Sequence, residues 1–398
     1  MDHNRPQGIT SLLFAAFLVS LTAACTDAGG KVFTADTPTL EKRWTWRKTF
    51  SGVTPGNLAM QVNGAKILFT LTKLTKNPAP GESAAKDEIV AVTNSGRITN
   101  NQLVDGTVKN ILFDGSGKKA VIHLEDGRFF IYSDFTSPVV PKEIGAAENL
   151  VFSHTGTFLA VKSKGNIKAI SVNGKKLWSL PVQNAQTNSA SSIPVSYYEK
   201  DLLLFPFLEK PYTLLRASQD GTVSLYEKGE AVWSKKLGGA VTAVSSSFLE
   251  GGVIAVSTGG RNGKIHFLKE NGAPIESVPF SGGALSISCS NHGNICATYQ
   301  NGADGQRVSV FNAQGKKLWN YRVNKQASRD SGVVVAGRGK VVVAGFEEDG
   351  AWSLRAWDDA GKPLWYAPVK RKIENFKISW NARRIAVITK NTLEFYSW

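Results

Sequence analysis

Short apolar runs alternate with polar turns along most of the chain, and this pattern predicts β-strands. The runs at 167–172 and 308–311 are examples, and a turn that contains Gly follows each of them. After the turn comes another short run, which carries Trp, so each copy predicts a strand, a tight turn and a second strand. The four copies of this Gly-x-x-x-Trp phrase run from Gly174 to Trp178, from Gly229 to Trp233, from Gly315 to Trp319 and from Gly361 to Trp365.

The spacing of the turns indicates the fold class. A degenerate copy at 271–275 keeps the turn and loses the Trp. The turn glycines at 229, 272, 315 and 361 are therefore separated by steps of 43, 43 and 46 residues. Four-stranded blades of β-propellers repeat with a period of roughly 40 to 50 residues, so the spacing predicts an all-β propeller.

Two blades can be assigned strand by strand, with strands A to D counted from the innermost outward. The strands predicted for blade 6 are 284–289, 295–299, 307–311 and 317–323, and those for blade 7 are 332–336, 340–345, 353–357 and 363–368. Upstream, Gly96 and Gly174 are 78 residues apart, which is two blades, and the intervening turn is expected within 132–138. Blade 4 is longer, so an insertion is predicted at 183–192 or around 208–212.

The two ends of the chain complete one blade. The segments 376–380, 384–389 and 392–398 predict strands A, B and C of a last blade, which then lacks its outer strand. The segment 43–50, which includes Trp44, predicts a strand with no blade of its own. Pairing the two closes the ring and removes the open sheet edge. We therefore predict an eight-bladed β-propeller of four-stranded antiparallel blades over residues 42–398.

The repeated tryptophans have two interpretations. Blades splay apart with increasing radius, so the gap between neighbouring sheets is widest at the outer strand, where a large ring fills it. Packing between blades is the preferred interpretation, and a stacking platform for a ligand is the alternative. The residues concerned are Trp44, Trp178, Trp233, Trp319 and Trp365.

The first residues predict export and lipidation. Arg5 precedes an apolar run at 9–24, which has the length of a signal peptide, and the run ends in Thr22-Ala-Ala-Cys25. This ending resembles a bacterial lipobox, so 1–24 is expected to be cleaved and Cys25 lipidated; a soluble secreted protein and a retained membrane anchor are the alternatives. Thr26 in place of Asp favours the outer membrane. Residues 25–41 then form a flexible tether for a propeller that faces the periplasm.

Two of the three cysteines flank one predicted hairpin. Cys289 and Cys296 lie on either side of the turn 290–294 in blade 6. If the hairpin is centred on this turn, the two side chains face each other and a cross-strand disulfide can form in an oxidising compartment. Two buried free thiols are the alternative.

Charge is distributed unevenly over the predicted ring. The net charge is +15 and the pI about 9.6, which favours an anionic partner or surface. The A–B and C–D turns emerge on one face and hold Lys118, Lys119, Lys175, Lys176, Lys316, Lys317, Arg338, Lys340, Lys362, Arg383 and Arg384. The B–C turns on the other face hold Glu125, Asp126, Asp220, Asp304, Glu347, Glu348 and Asp349.

The basic face is either a set of solvated lysines or a surface for anionic lipid headgroups or an acidic protein. Lys370, Arg371 and Lys372 depart from the pattern, because they lie in a D–A loop on the opposite face. That face also carries the long loops 72–87 and 183–192. Loops of this length are candidate partner-binding elements, with tolerated insertions as the alternative.

Catalytic and metal motifs have no support in the sequence. His123, His154, His266 and His292 are dispersed over separate blades, and none belongs to a zinc-binding motif. There is no Gly-x-Ser-x-Gly sequence, and the Gly-rich turn at 114–118 precedes a strand where a phosphate-binding loop needs a helix. We therefore expect no enzymatic activity, no cofactor and no nucleic-acid partner.

The repeat resembles that of pyrroloquinoline-quinone-type propellers, and the nearest copy is the segment 356–365. An eight-bladed ring of this type with a lipobox and a short tether is similar to the BamB-like lipoproteins of outer-membrane β-barrel assembly. The resemblance implies a non-enzymatic interaction scaffold that is a monomer within a membrane-attached complex. No partner-binding residue of that family can be matched here. The quinone enzymes fit less well, because their adjacent cysteine pair is absent. A module that binds a ligand, glycan or peptide at the channel mouth is the alternative function.

Overall fold

A computed structural model shows that the described part of the chain is built from β-strands. It describes residues 37, 44–61, 63–74, 85–114, 116–133, 137–139, 147–163, 165–181, 201–204, 212–247, 252–327, 332–369 and 371–397. The signal peptide, Cys25 and most of the tether therefore lie outside the described residues.

The strands fall into eight groups of four, one group to a blade. The strands of blades 1 and 2 are β2 (Thr54–Met60), β3 (Lys66–Leu74), β4 (Ala85–Thr93), β5 (Ile98–Leu103), β6 (Val108–Phe113), β7 (Lys119–Leu124), β8 (Phe129–Ser133) and β9 (Ser137–Val139). Blades 3 and 4 contain β10 (Asn149–Phe152), β11 (Phe158–Ser163), β12 (Asn166–Ser171), β13 (Lys176–Pro181), β14 (Asp201–Leu204), β15 (Thr213–Ser218), β16 (Thr222–Glu227) and β17 (Glu230–Lys236).

Blades 5 and 6 contain β18 (Val241–Ser246), β19 (Val253–Thr258), β20 (Lys264–Lys269), β21 (Pro274–Pro279), β22 (Ser286–Cys289), β23 (Ile295–Gly302), β24 (Gly305–Asn312) and β25 (Lys317–Val323). Blades 7 and 8 contain β26 (Val333–Val335), β27 (Val341–Glu348), β28 (Ala351–Asp358), β29 (Pro363–Val369), β30 (Ile373–Ile378), β31 (Arg384–Thr389), β32 (Thr392–Ser397) and β1 (Trp44–Thr49).

Each blade is an antiparallel sheet in which sequence neighbours pair. In blades 1 to 7 the order is that of the chain, for example β22-β23-β24-β25 in blade 6. The order in blade 8 is β1-β32-β31-β30, so the first strand of the chain pairs with the last. The predicted eight-bladed, four-stranded architecture and its closure are both confirmed.

The closing pair is fixed by an ion pair as well as by backbone bonds. Arg47 of β1 lies opposite Glu394 of β32, and its guanidinium reaches the carboxylate of Glu394 at 2.5 Å. Glu394 is buried and also accepts a hydrogen bond from the Tyr396 hydroxyl at 2.5 Å. A buried carboxylate needs such partners, so the closure depends on this contact.

The hydrophobic core follows the ring. The buried apolar side chains of the described residues form eight clusters, and each cluster lies between two adjacent blades. Blade 8 packs on blade 1 through β31 and β32 on one side and β2, β3 and β4 on the other. Among the described residues, every pair of neighbouring blades shares one of these clusters. The stability of the ring therefore comes from apolar side chains packed between the sheets rather than from one central core.

The repeated Trp of one blade docks on the repeated Gly turn of the next blade. At Gly96, an added Cβ would lie 3.0 Å from the ring of Trp46, and at Gly272 it would lie 2.6 Å from the ring of Trp233. Both glycines have a positive φ that favours Gly. The indole N–H of the docked ring donates to a carbonyl of the same turn. These hydrogen bonds join Trp46 Nε1 to Asn94 O (2.9 Å), Trp233 Nε1 to Glu270 O (2.8 Å) and Trp319 Nε1 to Asp359 O (3.0 Å).

Trp178 docks in the same way but differs in its hydrogen bond. It lies below Gly229, whose added Cβ would be 3.3 Å from the Cβ of Trp178. The turn here has two residues, Lys228 and Gly229, both with positive φ, which is the type I′ geometry. The indole nitrogen of Trp178 is buried without a hydrogen-bond partner among the residues described.

The closing strand uses a different Trp from the predicted one. The side chain of Trp44 lies outside the described residues, and Trp46 occupies the docking position, stacked on Phe395 with ring centroids 5.5 Å apart. The register of β1 against β32 shifts between these two tryptophans, which places the second one in the gap. Sequence spacing alone could not resolve such a shift.

Strand boundaries agree with prediction in most places. The innermost strand of blade 8 is an exception, because β30 spans Ile373–Ile378 and the predicted segment was 376–380. Trp380 lies in the turn after β30, where it packs on Gly337 of the preceding blade. The insertion predicted for blade 4, at 183–192 or around 208–212, falls outside the described residues apart from Tyr212.

Cys289 and Cys296 are joined by a disulfide across the first hairpin of blade 6. The two residues are directly paired in the register of β22 and β23, with Cα atoms 4.0 Å apart. Both side chains are buried, and they belong to the cluster between blades 5 and 6. The bond therefore ties an inner hairpin that also forms part of the core.

The docking of Trp on Gly predicts a specific loss of stability. Gly272 and Gly238 have nearly equal φ values of 77° and 78°, but only Gly272 has a ring above it, since nothing lies within 4 Å of an added Cβ at Gly238. We expect Gly238→Ala to lower the free energy of unfolding by about 1–2 kcal/mol through backbone strain. Gly272→Ala should cost about 1–3 kcal/mol more, because the methyl group displaces Trp233. Denaturant unfolding measures both, and equal losses would contradict the docking account.

The disulfide predicts a mass difference. The intact protein, unfolded in acid without an alkylating agent, should gain about 2 Da when it has been reduced, because two thiols replace the bond. A Cys289→Ser, Cys296→Ser double variant serves as the control and should show no gain. An unchanged wild-type mass would show that the cysteines are two buried thiols.

Candidate interaction surface

The C–D hairpins hold their lysines in a fixed geometry. In blade 3 the turn is closed by hydrogen bonds from Gly174 N to Ser171 O and from Ser171 N to Lys175 O, both 2.8 Å. The register then shifts by one residue, so that Lys176 pairs with Ile170 and Trp178 with Ala169. This is a bulge after a left-handed Gly, which increases the local twist of the strand. The same shift follows the turn at Gly315 in blade 6.

The bulge leaves an apolar residue exposed beside the lysines. Leu177 has no partner in the register of blade 3, and Leu318 has none in blade 6. Their side chains are 39% and 43% exposed, which is unusual for residues adjacent to a buried Trp. We define the basic rim as Lys175, Lys176 and Leu177 of blade 3 with Lys316, Lys317 and Leu318 of blade 6. Sequence reasoning identified these lysines and missed the leucines. The leucines could have been found from their position, because each directly precedes the Trp of a repeated phrase.

Most cations of the basic face have no internal partner. Four of the predicted residues are engaged: Lys119 Nζ donates to Gly156 O, Arg384 to Asn63 O, Lys340 to Asp359, and Arg338 lies over the ring of Trp380. The hydrogen bond to Asp359 raises the pKa of Lys340. The side chains of the others make no hydrogen bond or ion pair to another described residue: Lys118, Lys175, Lys176, Lys316, Lys317, Lys362 and Arg383.

The opposite face is different, because four of its seven predicted acidic residues form ion pairs with nearby cations. The ion pairs join Asp126 to Arg128, Asp220 to Lys236 and Asp349 to Lys325. Glu348 pairs with Arg355, whose guanidinium is almost fully buried among aromatic rings. Uncompensated charge is therefore concentrated on the basic face.

The basic segment of the D–A loop in blade 8 is partly engaged. Lys370 lies outside the described residues, Arg371 donates to Asn391 Oδ1, and Lys372 forms a 2.7 Å ion pair with Glu374. Of the predicted loop 72–87, residues 72–74 belong to β3 and 85–87 to β4, and the remainder lies outside the described residues, as does the predicted loop 183–192. Their predicted role in partner binding stays a prediction.

Two cations lie on the described innermost strands of the ring: Lys109 of β6, whose Nζ donates to Glu148 O at 2.7 Å, and Lys377 of β30. The side chain of Lys377 is solvent-exposed, and β30 is the innermost strand of its blade, so this residue lies on the wall of the central channel. The surrounding protein removes water from the ammonium group and so lowers its pKa. This is the observation that favours the alternative of a ligand in the channel.

The histidines do not form a site. His123 and His266 are buried in strands; His123 Nε2 donates to Ala147 O, and the two ring nitrogens of His266 hydrogen-bond with the hydroxyls of Thr258 and Ser277. His154 and His292 lie in turns. Across the described ranges, no group of three or more His, Cys, Asp or Glu side chains could hold a metal ion.

The residues present do not fit a quinone cofactor. The quinone enzymes use a disulfide between adjacent cysteines, whereas the disulfide here joins residues seven apart within one hairpin. We derive no chemistry through that group. Within the part of the chain that the structure describes, no helix is long and apolar enough to cross a membrane.

The closed ring of eight four-stranded blades defines an eight-bladed β-propeller. Residues 219–390 match the model of the family described as outer membrane protein assembly factor BamB. Over this segment the chain is similar to that family, which agrees with the resemblance that the repeat predicted.

Solved structures support the fold at low sequence identity. BamB from Moraxella catarrhalis is 14% identical with a TM-score of 0.57, covering 89% of this chain and 99% of that one. The computationally designed Ika8 protein is 16% identical with a TM-score of 0.61, covering 89% and 100%. Sqt1 from Chaetomium thermophilum, bound to the N-terminus of ribosomal protein L10, is 14% identical with a TM-score of 0.63, covering 88% and 98%. No curated protein matches the chain.

Proposed function

We propose that this protein is a non-enzymatic interaction scaffold of the bacterial outer membrane, which binds an acidic protein surface of the envelope assembly machinery through its basic rim. The observation that carries the proposal is the concentration of unpaired cations on one face, beside the exposed Leu177 and Leu318. Charged residues attract the partner and set the encounter rate, and exposed apolar residues give the contact its hydrophobic centre.

Attachment to the membrane is part of the same proposal. Cleavage after residue 24 would leave a lipidated Cys25, and residues 25–41 would tether the propeller on the periplasmic side. The match to the BamB family model supports this location. A lipid anchor together with the basic rim would confine the scaffold to the region where outer-membrane proteins are assembled.

Neutralising the basic rim should abolish partner association. The variant changes Lys175, Lys176, Lys316 and Lys317 to Gln, and we expect it to lose co-purification of outer-membrane assembly subunits from solubilised membranes at low salt. Wild-type association should weaken as salt rises, because exposed charges are screened. The measurement is the amount of these subunits retained by the tagged protein.

A matched control removes the same charge from the opposite face. It changes four lysines that are ion-paired there: Lys73, Lys236, Lys325 and Lys372. Exposed ion pairs contribute little to stability, so this variant should fold and retain its partners. Equal association of the two variants, or loss only in the control, would refute the proposal.

Two further arms separate the alternatives. In the first, vesicles that contain phosphatidylglycerol replace the membrane extract. If the wild type binds these vesicles through the basic rim but retains no assembly subunits, the surface recognises lipid rather than protein.

Lys377→Met tests the central channel, because a ligand held there would be lost with this variant and kept with the basic-rim variant. Loss of association on this change alone would favour the channel-binding module.

A further inference from the structure

Large side chains fill the outer part of the gap between blades 6 and 7. Trp319 and Tyr321 of β25 pack on Trp357 of β28, with ring centroids 5.6 Å and 5.0 Å apart. Arg355 of β28 lies below them, 5.3 Å from the ring of Tyr321 and 5.1 Å from that of Phe346. Arg355 is only 8% exposed, so this gap is closed by large side chains.

The gap between blades 5 and 6 lacks three of these side chains. The equivalences follow from the register, because the position four residues after the turn glycine is Trp319 in blade 6 and Glu276 in blade 5. On strand C, Ala356 of blade 7 pairs with Trp365, and Val310 of blade 6 pairs with Trp319. The residue directly before each of these in the chain is Arg355 in blade 7 and Ser309 in blade 6. The replacements are Trp319 by Glu276, Tyr321 by Val278, and Arg355 by Ser309.

A cleft of about 350 Å³ results between β21 of blade 5 and β24 of blade 6. Binding sites for small ligands and side chains start at roughly 300 Å³, so the cleft is large enough to be one. Loss of the Trp does not by itself open such a space. Between blades 1 and 2 the Trp is replaced by Asn100, but the buried Tyr132 lies in the gap and leaves only about 10 Å³.

The cleft combines an aromatic base with free cations. Phe280 and Phe311 are buried at its base, and Arg307 and Lys317 line its wall. Neither cation forms a hydrogen bond or ion pair with another side chain in the described ranges. Asp304 is the one acidic residue among the described lining residues, and Arg322 binds its backbone oxygen rather than its carboxylate. The lining therefore carries a net positive charge beside an apolar surface.

We propose that this cleft binds an extended peptide segment of a partner protein, with an Asp or Glu carboxylate on Arg307 and a bulky apolar side chain on Phe280 and Phe311. An arginine can hold a carboxylate through two parallel hydrogen bonds, which fixes its orientation. The apolar side chain would occupy the volume that Tyr321 fills in the neighbouring gap. The site is separate from the basic rim apart from Lys317, and it does not rest on the function proposed above.

Selection from a phage-displayed library of random dodecapeptides tests the cleft on the folded protein. Wild-type protein should select peptides in which an acidic residue lies close to an aromatic or large aliphatic one. Val278→Tyr copies Tyr321 into the cleft without a change of charge and should weaken the selected peptides at least tenfold. Arg383→Gln, which removes an exposed arginine of blade 8, is the control and should bind as wild type does.

The pairing with Arg307 is tested by a double-mutant cycle. Replacing the acidic residue of a selected peptide by its amide should weaken binding to the wild type roughly tenfold, as loss of a charge-assisted hydrogen bond does. The same replacement should have almost no further effect on Arg307→Gln. Additive losses, selection of basic peptides, failure to select any peptide, or binding unaffected by Val278→Tyr would each overturn the proposal.

Discussion

The contact on which the rest of this structure depends is the docking of a Trp from one blade on the Gly turn of the next. A ring of flat sheets must fill a gap that widens outward, and a large indole at the outermost strand does so. Gly in the turn has no side chain to obstruct the ring, and the turn offers a carbonyl to the indole N–H, as for Trp233 and Glu270. The repeated phrase supplies the Trp of the junctions made by Trp178, Trp233 and Trp319, and the closing strand supplies Trp46.

The same local geometry positions the functional surface. Gly229 and Gly272, which accept a Trp side chain, are each followed by a bulge. The same bulge after Gly174 and Gly315 leaves Leu177 and Leu318 exposed next to paired lysines. Because every C–D turn emerges on one face, the charges of successive blades add to the same field. Where Glu276, Val278 and Ser309 together replace the large side chains of the neighbouring gap, a cleft with free cations opens. Stability and recognition thus have one structural origin.

The sequence predicts the features that repeat and misses those that arise from two distant residues meeting. The period, the blade count and the closure by the first strand follow from turn spacing and alternation, since these depend on local chemistry. The choice of Trp46 over Trp44 depends on a register shift against β32, which no local pattern encodes. The cleft requires Val278 and Ser309 to be small together, although they lie on different blades.

The account's central claim is that partners meet the face formed by the A–B and C–D turns. Site-specific photo-crosslinking in living cells tests it most directly, with a photoreactive phenylalanine placed at Leu177 or Leu318 and, for comparison, at Glu125 or Lys390 in exposed turns of the opposite face. We predict crosslinks to envelope assembly proteins from the two leucine positions and none from the other two. Crosslinks that form only from Glu125 or Lys390 would contradict the account.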